Sequence, residues 1–83
     1  MKPIFYVYTK QGCHLCEILI EQLMETLRDK ADIKFIDIES KPELFNKYCE
    51  IIPLVKYRDE ELFRYHYDRN IIKKIMITFS SPN

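Results

Sequence analysis

A change of hydrophobic period at its single glycine most constrains how this chain can fold. Ile4-Phe5-Tyr6-Val7-Tyr8 is a continuous apolar and aromatic run, the pattern of a buried strand. Thr9-Lys10-Gln11-Gly12 ends it, and from Cys13 onward the period is helical. Leu15, Ile18, Leu19, Leu23 and Leu27 recur at helical spacing, with Glu17, Glu21, Glu25 and Arg28 on other faces. The pattern predicts a helix of about four turns ending near Asp29. Ile33-Lys34-Phe35-Ile36-Asp37-Ile38 then reads as a second strand. Strand, helix and strand in so short a span form a βαβ unit, with parallel strands and a right-handed crossover.

The rest of the chain continues in short elements. Ser40 is a candidate N-cap with Pro42 and Glu43 behind it, which predicts a helix over Lys41 to Tyr48. Ile51-Ile52-Pro53-Leu54-Val55-Lys56-Tyr57 reads as a strand, and Pro53 is acceptable at its first position. Arg58-Asp59-Glu60 is polar enough to turn, although it lacks the usual glycine, and Leu62-Phe63-Arg64-Tyr65 returns antiparallel. Asp68 caps a last helix with Ile71, Ile72, Ile75, Met76 and Phe79 on one side, and Ser80-Ser81-Pro82-Asn83 reads as a frayed tail. The order β-α-β-α-β-β-α makes residues 1–83 one α/β domain, a four-stranded mixed sheet with three helices.

Charge and length exclude several classes of function. Thirteen basic residues balance thirteen acidic ones, so the net basic excess expected of a phosphate-backbone binder is missing. Nucleic acid and anionic membrane are therefore not expected as partners. The apolar run after Met1-Lys2-Pro3 is shorter than the roughly 7–15 residues of a signal-peptide core. No uncharged stretch approaches the ~20 residues of a membrane span. The expectation is a cytoplasmic monomer. In that compartment three cysteines point to redox or metal chemistry rather than to a structural disulfide framework.

Cys13-His14-Leu15-Cys16 lies where the first strand ends and the first helix begins. A helix N-terminus carries unpaired N–H groups and a partial positive charge, so it favours a thiolate. Cys13 is placed to feel this most, with Lys10 and protonated His14 adding support. Cys16 sits one turn further in, within reach of a mixed disulfide formed at Cys13. The reading is that Cys13 attacks and Cys16 resolves, the two forming a redox-active disulfide. Two alternatives stay open: a metal module holding zinc or an iron–sulfur cluster, and a redox-silent adaptor. A structural zinc site needs about four ligands, and Cys49, His14 and His66 show no second paired spacing, so no metal ligands are assigned. His14 is either an exposed turn residue or a tuner of the thiolate. His66 reads as a surface residue. Cys49 reads as a small core residue, with a regulatory third thiol as the other option, and Tyr57, Tyr65 and Tyr67 read as sheet packing.

Tyr8-Thr9-Lys10-Gln11-Gly12-Cys13-His14-Leu15-Cys16 resembles the active-site segment of glutaredoxins: an aromatic, a small hydroxyl residue, a lysine, then paired cysteines. Asp37-Ile38-Glu39 is similar to the acidic end of that family's second strand, and the likeness runs from Ile4 to Phe79. The resemblance implies a thioredoxin-like fold in which Ile52-Pro53 is the cis-proline pair facing the cysteines. It also implies a substrate groove shaped by Gly12, Ile52 and Pro53. The implied activity is thiol–disulfide exchange on protein disulfides or glutathione mixed disulfides. No organic cofactor is implied, and glutathione enters as a candidate co-substrate. The chain departs from the family where glutaredoxins carry a glycine pair, because Tyr65-His66-Tyr67-Asp68 stands there instead. Thioredoxin's tryptophan before the first cysteine is also missing, since the chain has none.

Overall fold

The computed structural model describes residues 2–80. In chain order the elements are β1 (Ile4–Thr9), α1 (His14–Leu27), β2 (Asp32–Asp37), α2 (Pro42–Tyr48), β3 (Leu54–Tyr57), β4 (Glu60–Arg64) and α3 (Arg69–Ser80). The sheet order is β2-β1-β3-β4. β1 pairs with β2 in parallel, Tyr8 opposite Ile36, and with β3 antiparallel, Val7 opposite Val55. The four-stranded mixed sheet, the three helices and the parallel βαβ unit are those expected from the sequence.

Alternation along β1 sorts its side chains between two layers. Phe5 and Val7 point to one face and are fully buried beneath Leu19, Leu23 and Leu27 of α1 and Ile72 of α3. Tyr8 and Leu54, directly opposed across β1 and β3, point to the other face and meet Tyr48 of the short α2. A second apolar cluster forms there from Cys16, Ile38, Tyr48, Ile52 and Leu54. Ile20 touches both clusters, so the packing is continuous from the large core to the paired cysteines.

Four expectations about element ends are corrected. Ser40 is not the N-cap of α2; it ends a 3-10 turn over Ile38–Ser40. Its hydroxyl donates back to the Asp37 carbonyl at 2.6 Å, while the Asp37 carboxylate accepts the Glu39 N–H at 2.9 Å. α2 instead opens on Lys41 with no side-chain cap and places Pro42 in its first turn, where a missing N–H costs nothing. Ile38 leaves β2 and turns inward, because a fully buried place in the second cluster is open to it. β3 starts at Leu54, one residue past the Pro53 expected at its first position, after a cis Ile52–Pro53 peptide. β4 starts earlier than expected and stops at Arg64, because Tyr65 adopts φ 70° and leaves the sheet.

The hairpin turn needs no glycine. Arg58 and Asp59 both take positive φ, 53° and 65°, the signature of a two-residue turn whose twist suits antiparallel strands. Asp68 caps α3 as expected, its carboxylate accepting the Asn70 and Ile71 N–H groups at 3.1 and 3.4 Å. The helix includes Ser80, and the rest of the expected tail, residues 81–83, lies outside the described residues.

Leu23→Ala is expected to destabilise the chain by about 3 kcal/mol in urea unfolding, the usual cost of a buried leucine's volume. Ile77→Ala, at a side chain 71% exposed, is expected to change stability by less than about 0.5 kcal/mol. Equal costs at the two positions would contradict this packing.

Candidate functional site

The site grows out of the junction between β1 and α1. β1 ends at Thr9, and the chain turns through Lys10 to Gly12, with the Cys13 N–H donating to the Lys10 carbonyl at 3.4 Å. Gly12 holds φ 80°, and a side chain there would meet no atom within 4 Å. The turn thus uses glycine for its conformation and not for close approach. Cys13 is the N-cap of α1, in extended conformation, and its Sγ accepts the Cys16 N–H at 3.2 Å. Serine, threonine, aspartate and asparagine usually fill this role, so the sulfur takes the place of a capping oxygen.

Cys13 and Cys16 form a disulfide whose Cα atoms lie 5.2 Å apart. The two sulfurs have different surroundings. Cys13 is half-buried, whereas Cys16 is 1% exposed and sealed in the second cluster. Cys49, at the C-cap of α2, is a free thiol of intermediate burial packed against the same cluster. That agrees with its reading as a small core residue.

The other residues singled out in the sequence gather around this junction to different degrees. Lys10 closes the turn through its backbone, and His14 is the exposed first residue of α1. Neither side chain hydrogen-bonds to a sulfur among the described residues. Ile52 packs in the cluster with Cys16, and Pro53 is buried behind a cis bond. The Pro53 carbonyl accepts the Tyr65 N–H at 2.7 Å, while the Ile52 backbone makes no hydrogen bond among the described residues. Beside the cysteines, Leu15 and Ile18 stand 49% and 44% exposed on the first two turns of α1.

Sequence reasoning missed two features of this region. The first is a cluster of Tyr8, Tyr48 and Lys56. The Tyr8 and Tyr48 rings lie 4.4 Å apart, and Lys56 Nζ donates to the Tyr48 hydroxyl at 3.1 Å while sitting over both rings. Burial pushes the Tyr48 phenol up, but the Lys56 hydrogen bond and charge, helped by Tyr8 and by Lys47 nearby, outweigh it and hold the phenol below its usual range. Burial and the neighbouring Tyr48 push the Tyr8 phenol above that range. The β1–β3 register brings Tyr8 near Lys56, and the packing of α2 on that sheet face adds Tyr48. The second is Tyr65. Tyr57 and Tyr67 pack as expected, on Phe5 and Phe63, but Tyr65 lies outside the sheet and donates its hydroxyl to the Glu50 carbonyl at 2.9 Å.

A cavity of about 600 Å³ is lined by Gln22, Thr26, Arg28, Tyr67, Arg69 and Lys73 among others, and one of about 670 Å³ by Tyr57, Lys74 and Phe79 among others. Neither includes a cysteine. Among the described residues no three His, Cys, Asp or Glu side chains come together as metal ligands, and no helix is long and apolar enough to cross a membrane.

The sequence pattern that defines the glutaredoxin-like domain (DUF836) matches residues 5–76. No protein of curated function matches by sequence. In three dimensions the chain is similar to protein Ne2328 from Nitrosomonas europaea, with a TM-score of 0.77 and 27% identity over 90% of this chain and 92% of that one. Protein XcR50 from X. campestris gives a TM-score of 0.68 at 19% identity, covering 89% of this chain and 96% of its own. Thioredoxin 1 from Thermosipho africanus gives 0.61 at 15% identity, covering 94% and 99%. At such identities the last two likenesses concern the fold, which is thioredoxin-like.

Replacing Lys56 by Met removes the strongest of the influences that hold the Tyr48 phenol down and leaves its burial in place. Tyr48, followed by ring signals in an NMR titration, is therefore expected to ionise at higher pH in Lys56→Met than in the unsubstituted chain. An unchanged or lower titration would contradict the assignment of Lys56 as the cause.

Proposed function

The chain belongs to the glutaredoxin-like domain family, and from that premise we propose that it is a thiol–disulfide oxidoreductase working through Cys13 and Cys16. The observation that carries the reading is the N-cap of α1. A helix start that donates an N–H to Cys13 Sγ stabilises a thiolate on that sulfur, while Cys16 is kept from solvent one turn behind it.

In the reduced protein the Cys13 thiolate attacks one sulfur of a substrate disulfide. A bond forms between Cys13 and that sulfur, and the other substrate sulfur leaves as a thiolate that takes a proton. Cys16 then gives up its proton and attacks Cys13 Sγ, closing the Cys13–Cys16 disulfide and releasing the second substrate thiol. The substrate gains two electrons and the protein loses two. An external dithiol, or a pair of low-molecular-weight thiols such as glutathione, returns them. Lys10 and His14 add positive charge beside the thiolate when protonated, and Gly12, Ile52 and Pro53 border the groove. The unpaired Ile52 backbone offers a donor and an acceptor to an extended substrate chain, much as a sheet edge does.

The test uses the reduced Cys49→Ser chain and the aromatic disulfide dithiobis(nitrobenzoate). The expected outcome is release of two aryl thiolates per chain with closure of the intramolecular disulfide. Adding Cys16→Ser leaves one aryl group on Cys13, and adding Cys13→Ser instead slows the reaction about tenfold or more. Alkylation at pH 6 is expected to reach Cys13 before Cys16, and the reverse order would falsify the assignment of roles.

A further inference from the structure

The cavity of about 600 Å³ that no cysteine lines lies between the second half of α1 and the start of α3. Three cations line it: Arg28 at the end of α1, and Arg69 and Lys73, one turn apart on α3. Among the described residues none of the three makes an ion pair or a side-chain hydrogen bond, whereas Arg64 pairs with Glu61 and Lys56 donates to Tyr48. Arg69 is the first residue of α3, where a cation opposes the helix dipole, so the stability of that helix does not account for it.

Two features give the cleft a fixed shape and a definite charge. The Tyr67 hydroxyl donates to Thr26 Oγ1, which donates in turn to the Gln22 carbonyl at 3.1 Å, tying the segment before α3 to α1. Burial outweighs the Thr26 hydrogen bond and the Arg69 charge and holds the Tyr67 phenol above its usual range, so the phenol brings no negative charge at neutral pH. Asp68 is not in the lining, and its carboxylate accepts the Asn70 and Ile71 N–H groups. Arg28 is the second feature. It ends α1 at φ 51° and ψ −120°, a conformation that suits glycine, with its N–H donating to the Met24 carbonyl at 2.8 Å. A glycine would close the helix there without strain, and the arginine instead sets a guanidinium at the cavity.

Among the described residues Glu25 is the carboxylate of the lining, and three cations against it leave the cavity short of two negative charges. A phosphoryl group carries close to two at neutral pH, and guanidinium forks match its oxygens in pairs. We propose that this cavity binds a dianionic phosphoryl group, free or as the monoester of a small molecule, through Arg28, Arg69 and Lys73. Glu25 is placed to accept a hydrogen bond from a hydroxyl or amino group of the ester. The site is separate from the sulfur pair, and the proposal does not depend on the oxidoreductase reading.

The experiment titrates inorganic phosphate, adenosine monophosphate and succinate separately into the full chain at constant ionic strength, followed by backbone amide NMR signals. Saturable shifts at Thr26, Arg28, Arg69 and Lys73 are expected with phosphate, the nucleotide or both, and the tighter of the two identifies the free or the esterified form as the ligand. Succinate, a dianion without phosphoryl geometry, is expected to bind at least about tenfold more weakly. Arg28→Gly and Arg69→Gln are each expected to weaken binding about tenfold, while Lys34→Gln, on β2 outside the cavity, leaves it unchanged. Arg28→Gly is also expected to raise the urea midpoint, because it relieves the backbone, so its weaker binding is not a loss of fold. Should that midpoint fall, Arg69→Gln carries the test. Shifts that do not saturate or that centre elsewhere, succinate binding as tightly as phosphate, or an unchanged affinity in Arg69→Gln overturns the proposal.

Discussion

The hydrogen bond from the Cys16 N–H to Cys13 Sγ is the point on which the rest of the structure turns. It makes one side chain both the cap that starts α1 and the less buried member of a sulfur pair. The first N–H groups of any helix need acceptors, and a chain that caps with sulfur places a polarisable, ionisable atom there. Everything before it serves to deliver Cys13 to that position. β1 is locked between β2 and β3, Gly12 supplies the positive φ of the turn, and the buried leucines of α1 fix the direction in which the helix leaves. Structural and chemical requirements fall on the same atom, so neither is adjustable without the other.

The far wall of the site depends on the opposite layer. α2 is only seven residues long, and its contribution is concentrated in Tyr48, which joins Tyr8 and Lys56 across the sheet face. With Ile38 and Leu54, Tyr48 forms the apolar seat on which Cys16 and Ile52 rest. Tyr65 then ties the Glu50–Pro53 segment from outside. The segment after α2 is thus held from beneath by packing and from above by two hydrogen bonds, though it belongs to no helix or strand. A loop so constrained can hold an unpaired backbone beside the disulfide without collapsing onto it.

What was legible in the sequence were the features set by local period and local chemistry. Strand, turn and helix around Gly12 follow from a switch of apolar spacing, and Asp68 caps α3 as its position suggests. What was not legible depended on competition or on distance. Ser40 and Asp37 are both credible caps, and only the inward turn of Ile38 decides that Asp37 caps while Ser40 bonds backward. Arg58 and Asp59 carry no glycine signal, yet strand register obliges both to take positive φ. Tyr65 looked like one more strand aromatic because nothing in its neighbourhood announces a carbonyl fifteen residues earlier as its partner. Tyr48 and Lys56 are invisible as a pair until α2 packs over β3, and Tyr8 joins them only when β1 lies beside β3.

The disposition of the sulfurs has a simple geometric origin. Residues three apart at a helix start are neighbours on one face, one turn removed, and the 5.2 Å between the Cys13 and Cys16 Cα atoms is a spacing a disulfide accepts without backbone movement. The helix therefore holds the pair ready in either redox state. The hydrogen bond that caps it is also suited to a thiolate, because an N–H aimed at sulfur is strengthened when the sulfur is charged. Burial supplies the asymmetry. A sealed Cys16 is protected from competing electrophiles, and the sulfur it is bonded to belongs to the less buried Cys13. Under the proposed function, reaction from outside begins at Cys13 and ends at Cys16, an order that follows from where the helix starts and from which of its faces is covered.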